Sequence, residues 1–357
     1  MRQNMPKSYT DETKAKLIVK LKDIQNELPD FLGEFFRGIA DQNQIRTRVG
    51  YAYDLRIFFC FLFEECKKIN CSDVKNITVN DLTMLTADDI EEYLEYLTYY
   101  VKKDDKKANC IMQNEAQGKS RKLAAVRTMF KYYYRKGKIP ADPAGLVGFP
   151  KLHEKNIVSL ETDEMANLLD SVDSGENLSE REQKFHSFTK LRDAALFALL
   201  LGTGMRVSEC VGVDLHHIDF KTHAVKVTRK GGDESILYFN DEVAEALVEY
   251  LGFRKKITPL AGHEAALFLS MQRRRITDRA VQNLVKKYTK HVTPLKTITP
   301  HKLRSTFGTQ LYRETGDIYL VANVLGHADV NTTRKHYAKM DDDRRRKAAR
   351  SVHLRKN

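Results

Sequence analysis

Three prolines close together divide the chain into two parts. Pro140, Pro143 and Pro150 are followed by the polar run 151–156. Proline interrupts helices and stiffens connections. A chain of 357 residues is also long enough for two domains of ordinary size. We therefore predict a first domain over residues 1–150, a linker over 151–158 and a second domain over 159–357.

Apolar residues recur at helical spacing through the first part of the chain. The stripes are Leu17, Leu21, Ile24 and Leu28; Tyr51, Leu55, Phe58, Phe59 and Leu62; Ile90, Leu94, Leu97 and Val101; and Leu123, Val126, Phe130 and Tyr133. Thr86, followed three residues later by Asp89, resembles a capping box at the start of the third helix. The polar stretch from Lys102 to Lys119 is predicted to loop out. The first domain is thus predicted to be helical.

The second part of the chain mixes helical patterns with one β-hairpin. Residues 224–228 and 235–239 are rich in β-branched and aromatic residues, and Gly231-Gly232 between them suits a turn. Helical patterns cover residues 190–202, 241–255, 277–290, 301–313 and 317–325, and the basic tail 344–356 is a candidate for a last helix. The predicted fold class is mainly α, with a small β-hairpin in an α+β second domain.

Positive charge indicates a polyanionic partner, although solubility alone can explain it. The formal net charge is +12, and nucleic acid is a natural partner for a basic chain. The fourth helix of the first domain is predicted to turn its apolar stripe inward and to carry a run of cations on its other face. These cations are Arg121, Lys122, Arg127, Lys131 and Arg135. For any single lysine a solvated surface is the commoner explanation, but the cluster favours contact with DNA phosphates.

Cysteine usage and hydropathy indicate the cellular compartment in which the protein is expected to act. The cysteines lie at 60, 66, 71, 110 and 210. They include no Cys-x-x-Cys pair or zinc-like spacing, and their odd number favours reduced thiols. The start of the chain lacks the apolar core of a signal peptide. The longest apolar run, 194–201, is far shorter than the about 20 residues that span a bilayer. We expect a soluble cytoplasmic protein with no metal site and no membrane insertion.

Two arginines, each inside a short motif, are suited to bind a phosphodiester. Arg206 lies in Gly-Thr-Gly-Met-Arg-Val-Ser-Glu (202–209), whose glycines form a turn before a helix, and Arg304 lies in His-Lys-Leu-Arg (301–304). Guanidinium groups bind phosphate oxygens bidentately and stay charged. A pair of them can stabilise the charge that attack adds to the non-bridging oxygens. A lone arginine in such a turn is usually structural.

Two histidines accompany the arginines. His301 is three residues before Arg304, so both share one helical face, and Pro300 marks the start of that helix. An imidazole has an ordinary pKa near neutrality, so a histidine here can both bind the phosphate and help to remove a proton. His327 follows a glycine that ends a helix, and it can donate to a phosphate oxygen. A cap, surface or packing role is the ordinary alternative for each histidine.

Lys230 and Tyr337 complete the chemistry. Lys230 lies in Thr-Arg-Lys-Gly-Gly (228–232) at the hairpin turn, where an ammonium can protonate a leaving 5′ oxygen. Tyr337 lies in Arg-Lys-His-Tyr-Ala (334–338), whose cations favour the phenolate. An attacking phenolate forms a phosphotyrosine and frees a 5′ hydroxyl. A turn lysine, or one of 16 tyrosines, is ordinary by itself. The ordered set between residues 206 and 337 favours DNA strand exchange.

With these motifs the chain resembles the tyrosine recombinases of the phage integrase superfamily. The resemblance implies a helical core-binding domain followed by a catalytic domain from about residue 159. It implies that Arg206, Lys230, His301, Arg304 and His327 activate the scissile phosphate and that Tyr337 is the nucleophile, without metal or ATP. Ser305 stands where a second histidine often follows the arginine.

Within that family the chain is similar to the Xer group, and in it to the single-recombinase XerS type. The similarity lies in the segments 227–232 and 299–304, in residues 29–31 of the N-terminal helix and in the length. It implies binding to double-stranded DNA with paired inverted half-sites, a homotetramer on two synapsed sites, a Holliday junction and a role in chromosome dimer resolution. Residues 341–357 would dock on a neighbouring protomer, or form a DNA-contacting or disordered tail.

Three alternatives remain open on the sequence. An integrase or excisionase of a mobile element would share nearly all of these residues. A type IB topoisomerase would use similar phosphotyrosine chemistry to relax supercoils. A non-catalytic DNA-binding regulator would need neither the nucleophile nor the arginine pair, and the six intact positions argue against it.

Overall fold

The computed structural model describes residues 9–104, 107–152, 158–229 and 232–326, together with residue 330. The chain forms two compact units, Met1–Glu154 and Lys155–Asn357. The division between them falls inside the stretch that was predicted as a linker. Within the described ranges, no helix combines the length and the hydrophobicity that a membrane span requires.

The first unit consists of helices and one small sheet. Its elements are α1 (Tyr9–Gln25), α2 (Leu32–Gly38), α3 (Ile45–Glu64), a 3₁₀ turn (Val74–Asn76), α4 (Val79–Leu82), α5 (Ala87–Tyr96), β1 (Tyr99–Asp104), β2 (Lys107–Gln113), α6 (Ala116–Arg135) and α7 (Pro143–Leu146). Thr86 caps α5 as predicted. Its main-chain N–H donates to the Asp89 carboxylate at 2.6 Å, and its hydroxyl donates to the same oxygen at 2.8 Å.

The predicted apolar stripes of this unit meet in one core. α3 packs against both α1 and α6. Phe58 of α3 is completely buried, and its ring meets the edges of Tyr93 and Phe130 with centroids 5.0 and 6.2 Å apart. The hydroxyl of Tyr133 donates to the main-chain oxygen of Phe31 at 2.8 Å. The core therefore holds α6 by its apolar stripe and leaves the opposite side of the helix toward solvent.

The stretch predicted to loop out after α5 contains an antiparallel β-hairpin. The helix stops at Tyr96, and β1 pairs with β2 so that Tyr99 faces Gln113 and Val101 faces Ile111. Two predictions were therefore wrong: Val101 does not continue the helical stripe, and the polar stretch is not simply a loop. Strand pairing satisfies main-chain groups whatever the polarity of the side chains, so apolar periodicity did not reveal it.

The second unit surrounds a small three-stranded sheet with helices. Its elements are α8 (Thr162–Ser174), α9 (Glu180–Thr203), α10 (Val207–Gly212), a 3₁₀ turn (Leu215–His217), β3 (Ile218–Asp219), β4 (Ala224–Thr228), β5 (Glu234–Tyr238), α11 (Asp241–Arg254), α12 (Asp278–Val292), α13 (Pro300–Thr315) and α14 (Ile318–Leu325). The strand order is β3-β4-β5, with both pairs antiparallel. The mainly α fold class and the predicted hairpin are confirmed, while α8 and β3 were not predicted.

Helix α9 carries a buried ion pair and packs against α8, α11 and α13. Asp193 is completely buried and accepts from Arg192 Nε at 2.9 Å and from Arg192 Nη2 at 2.6 Å. The hydroxyl of Tyr288 in α12 donates to the second oxygen of Asp193 at 2.9 Å. A buried carboxylate needs such partners, because an unpaired charge in a core is costly. The contacts set the position of α9, whose carboxyl end reaches the predicted site.

Candidate active site

Gly204 and Arg206 form the junction between α9 and α10. Gly204 ends α9 with φ +63, and a β-carbon there would collide with the ring of Phe307. Arg206 is the N-cap of α10, and its main-chain N–H donates to Glu209 Oε2 at 2.7 Å. Glycine thus supplies both the left-handed conformation and the space for α13. The predicted turn before a helix is confirmed here.

Glu209 also fixes the direction of the Arg206 side chain. Arg206 Nη1 donates to Glu209 Oε1 at 2.7 Å. The side chain of Glu209 is nearly buried, whereas the side chain of Arg206 is 34% exposed. One carboxylate therefore binds both the main chain and the guanidinium of Arg206. The remaining exposure of Arg206 leaves it accessible to a ligand.

Arg304 connects α13 to two other helix ends. The side chain is 5% exposed, Nη1 donates to the Gly204 oxygen at 2.7 Å, and Nη2 donates to the Leu325 oxygen. These carbonyls lie at the carboxyl ends of α9 and α14, where helix dipoles favour a cation. Arg304 is thus held by three elements of the unit.

Both predicted arginines meet at the carboxyl end of α14. Arg206 Nη2 donates to the Gly326 oxygen at 3.3 Å, directly after the Leu325 oxygen that Arg304 binds. Gly326 caps α14 with φ +59, which confirms the predicted helix end. The tertiary structure therefore brings together two guanidinium groups that are 98 residues apart, and it does so immediately before His327.

His301 lies at the start of α13, one turn before Arg304. α13 begins at Pro300 as expected, and the side chain of His301 is exposed. Ser305 does not replace a second histidine in the site, because its hydroxyl donates to the His301 main-chain oxygen at 3.1 Å. Lys230, His327 and Tyr337, together with the basic tail, lie outside the described residues.

Two residues of this site were not singled out from the sequence. Glu209 is three residues after Arg206, the spacing of a capping box, so this signal was present. Arg229 directly precedes Lys230 in the hairpin motif, and its Nη2 donates to the Val324 oxygen at 3.1 Å. Three arginines therefore bind three consecutive carbonyls, those of Val324, Leu325 and Gly326.

The predicted basic face of α6 is not uniform. Lys131 and Arg135 are exposed. Arg121 pairs with the buried carboxylate of Asp54. Arg127 donates to the Gly145 oxygen at 3.2 Å.

Lys122 does not belong to this exposed face. It is 5% exposed, and its Nζ donates to Asn114 Oδ1 at 2.6 Å. Burial lowers the pKa of Lys122. Its placement on the solvent side of α6 was wrong, because one step of 100° along the helix from Arg121 turns it toward the core.

One cluster among the described residues has the composition of a cation site. The ligand atoms of Asp214, His216 and His217 lie within 4.8 Å of one another. However, Asp214 forms an ion pair with Arg275, and His217 Nδ1 accepts the main-chain N–H of Asp214 at 3.1 Å. The cluster is therefore engaged in internal contacts. That the reaction needs no metal remains a prediction.

Comparison with known proteins decides the family. The model of the phage integrase family matches residues 159–344, which is more than half of the chain. The chain belongs to the phage integrase family. Its relatives in this family include the tyrosine recombinase XerC of Caldanaerobacter subterraneus subsp. tengcongensis, 33% identical over 90% of this chain and 85% of the relative. The tyrosine recombinase XerS of Streptococcus agalactiae serotype III is 28% identical over 92% of this chain and 97% of the relative.

Solved structures of integrase-family proteins share the fold. The XerH site-specific recombinase in a post-cleavage complex with difH substrate has a TM-score of 0.61 and 18% identity, covering 92% of this chain and 88% of that one. The Tn1549 transposon integrase in complex with circular intermediate DNA has a TM-score of 0.62 and 19% identity, covering 86% and 94%. The prediction of a Xer-like tyrosine recombinase, an enzyme that breaks and rejoins DNA at specific sites, is confirmed at the level of the family.

Proposed function

We propose that this chain cuts and rejoins double-stranded DNA through a 3′-phosphotyrosyl bond to Tyr337. In this proposal Arg206 and Arg304 bind the non-bridging oxygens of the scissile phosphate. His301 and His327 hydrogen-bond the same phosphate, and Lys230 is the general acid.

The observation that carries the proposal is the convergence of Arg206 and Arg304 on consecutive carbonyls at the end of α14. Each arginine is fixed by a second contact, to Glu209 or to the Gly204 oxygen. Cations that are already oriented stabilise developing charge without reorganising during the reaction. In the sequence His327 follows Gly326 directly, and Tyr337 follows ten residues later.

The cleavage step balances without a cofactor. The phenol of Tyr337 loses its proton to His301, and the phenolate oxygen attacks phosphorus. The bond from phosphorus to the 5′ oxygen breaks, and the Lys230 ammonium supplies the proton that makes a 5′ hydroxyl, a general-acid contribution typically of about 10²–10⁴-fold. The new phosphotyrosyl ester retains the energy of the broken bond, so religation by another 5′ hydroxyl needs no ATP.

The substrate in this proposal is a DNA site made of two inverted half-sites, and one protomer binds each half-site. Two such sites synapse in a homotetramer, and strands are exchanged in two steps through a Holliday junction. The XerC and XerS relatives support chromosome dimer resolution as the biological task. The net charge of +12 and the exposed cations of α6 support phosphate binding.

A mobile-element integrase is the second candidate, and the likeness to the Tn1549 transposon integrase favours it. The catalytic step would be the same in both. The neighbourhood of the gene distinguishes them: an inverted-repeat site of about thirty base pairs, two half-sites about one helical turn apart, supports dimer resolution. Adjacent excisionase or relaxase genes support the mobile element.

A suicide substrate tests the proposal. A nicked duplex that carries the verified cognate site loses a short fragment after cleavage and traps the adduct. We expect the DNA to be attached to Tyr337, as mapped by peptide mass analysis, and we expect Tyr337→Phe to bind the site without forming an adduct. Attachment to another side chain, or an absence of adduct on the cognate site, contradicts the proposal.

Two further assays separate the alternatives. Cleavage that persists in excess EDTA agrees with a metal-free step, whereas its loss indicates a metal mechanism. Relaxation of supercoiled plasmids that contain no target site would favour a topoisomerase, since a recombinase requires paired sites. An unchanged recombination rate in Tyr337→Phe would favour a different nucleophile.

A further inference from the structure

Arg229 is a cation of this site to which the proposed chemistry assigns no role. It follows β4 directly and is half-buried. Its Nη2 binds the Val324 oxygen at 3.1 Å. Its Nε is buried and has no acceptor among the described residues. The guanidinium is therefore held at the end of α14 rather than free in solvent.

The guanidinium of Arg229 lies where a side chain at position 326 would begin if this residue were not glycine. Gly326 has φ +59, and a β-carbon there would collide with the Arg229 guanidinium. Glycine at this position permits both the left-handed backbone and the close approach of the arginine. The end of α14 is therefore shaped to accept Arg229.

The main chain of Arg229 closes the connection between β4 and β5. Its N–H donates to the Asp233 oxygen at 2.7 Å, and its own oxygen accepts from the Gly232 N–H at 3.1 Å. The backbone of Arg229 thus belongs to the hairpin turn, while its side chain binds the end of α14. A single residue connects the turn before Lys230 with the helix end before His327.

We propose that Arg229 is a positioning residue that holds the hairpin turn against the carboxyl end of α14, so that Lys230 reaches the leaving 5′ oxygen. This inference rests on the proposed function, in which Lys230 is the general acid. The carbonyl end of α14 stabilises the added cation and offsets the repulsion from Arg206 and Arg304 on the neighbouring carbonyls.

Replacing the leaving oxygen by sulfur isolates this role. With a 5′-bridging sulfur, the phosphorus–sulfur bond breaks and sulfur departs as a thiolate. A thiol has a pKa of about 8.5, far below that of a hydroxyl, so the thiolate needs no general acid. A defect in the placement of Lys230 is therefore repaired by the sulfur substrate, whereas a defect in folding or in phosphate binding is not.

Single-turnover cleavage of both substrates is measured for wild type, Arg229→Ala, Arg229→Lys and Lys230→Ala. We expect Arg229→Ala to lower cleavage of the oxygen substrate by at least about tenfold, and by no more than the about 10²–10⁴-fold that a general acid contributes. On the sulfur substrate it should cleave at nearly the wild-type rate. Arg229→Lys keeps a cation and a donor for the Val324 oxygen, and should regain part of the lost rate.

Arg181→Ala, which removes an exposed arginine at the start of α9, is the matched control and should cleave both substrates as wild type does. Thermal unfolding and site binding of each variant show that it is folded. Gly326→Ala displaces the Arg229 guanidinium but also strains the residue whose oxygen binds Arg206, so sulfur should repair only part of its defect.

The outcomes separate this inference from the proposed function. If wild type forms no adduct at Tyr337, both fail. Suppose instead that wild type reacts and that the sulfur substrate restores the rate of Lys230→Ala. If Arg229→Ala is then slowed equally on both substrates, or on neither, only the inference on Arg229 fails. If Lys230→Ala itself is not repaired, Lys230 is not the acid and the inference is overturned.

Discussion

Arg206, Arg229 and Arg304 of the second unit are bound to main-chain carbonyls, whereas the outermost cations on α6 of the first unit extend into solvent. Arg304 is 5% exposed and donates to carbonyls of two helix ends. Lys131 and Arg135 on α6 are exposed. Fixed guanidinium groups are suited to stabilise a transition state. Exposed flexible cations are suited to attract a phosphate backbone without a defined geometry. The same charge therefore serves catalysis or affinity according to how its side chain is held.

The largest effect is expected from Arg304→Ala. Removing a preorganised donor should lower the cleavage rate by about 10³-fold, while affinity for the cognate site changes little. The measurement is adduct formation on the suicide substrate, with DNA titration alongside. Arg304→Lys keeps the charge but lacks the rigid, planar fork whose two Nη groups donate to the Gly204 and Leu325 oxygens, so we expect it to remain slow. A parallel loss of site binding and cleavage would indicate that Arg304 has a structural role. The distinction between catalytic arginines in the second unit and affinity-providing cations on α6 would then not hold.

A smaller effect is expected from Gly204→Ala, which disturbs the carbonyl that Arg304 binds. The left-handed backbone at φ +63 should cost about 1–2 kcal/mol in the free energy of unfolding, and the clash with Phe307 adds to it. Chemical denaturation and cleavage should both report the change.

Gly252→Ala is the matched control for that variant. Gly252 lies within α11, and a β-carbon there meets no atom within 4 Å. Alanine in a helix is favoured over glycine by about 0.5–1 kcal/mol, so the control should be at least as stable as wild type. Equal stability of Gly204→Ala and wild type would show that the turn tolerates a side chain.

The double variant Lys131→Gln, Arg135→Gln tests the exposed cations. If each contacts one phosphate, the slope of log affinity against log salt should fall by about 1.8, since each contact contributes about 0.9. The loss of affinity between 50 and 200 mM salt then becomes about tenfold smaller. Cleavage at saturating DNA should be unchanged. Lys75→Gln, an exposed lysine of the same unit, is the control, and an equal effect there would indicate only non-specific charge.

The smallest effect on DNA binding is expected from Lys122→Met. Because Lys122 is buried on α6, its removal should leave the salt slope as in wild type. A slope that falls as in the double variant would place Lys122 in the interface.

Lys122 should also influence stability at alkaline pH. Burial lowers the pKa of Lys122, so between that lowered pKa and the ordinary value near 10.4 the unfolded chain binds more protons than the folded one. The contribution of Lys122 to stability therefore rises with pH through this window and is lost as pH falls through the folded pKa. Denaturation of wild type and Lys122→Met should be measured across this range. As pH rises, the free energy of unfolding of wild type should increase relative to that of Lys122→Met.

Helix positions could be predicted well where an apolar stripe or a capping residue was present. The start of α5 at Thr86, the start of α13 at Pro300 and the end of α14 at Gly326 are confirmed. The β1–β2 hairpin was missed because its pairing depends on main-chain hydrogen bonds, which form whatever the polarity of the side chains. Lys122 was placed on the wrong side of α6, because one step of about 100° along the helix turns it from the exposed face of Arg121 toward the core.

Sequence by itself determined the chemistry available to this protein: which arginines, histidines, lysine and tyrosine are present, in which order, and hence the family. Only the tertiary structure decided that Arg206, Arg229 and Arg304 bind the carbonyls of Gly326, Val324 and Leu325. The physical reason is that helix ends expose carbonyls that no local hydrogen bond satisfies. Which distant cation binds these carbonyls depends on how the helices pack, and a short sequence motif does not contain that information.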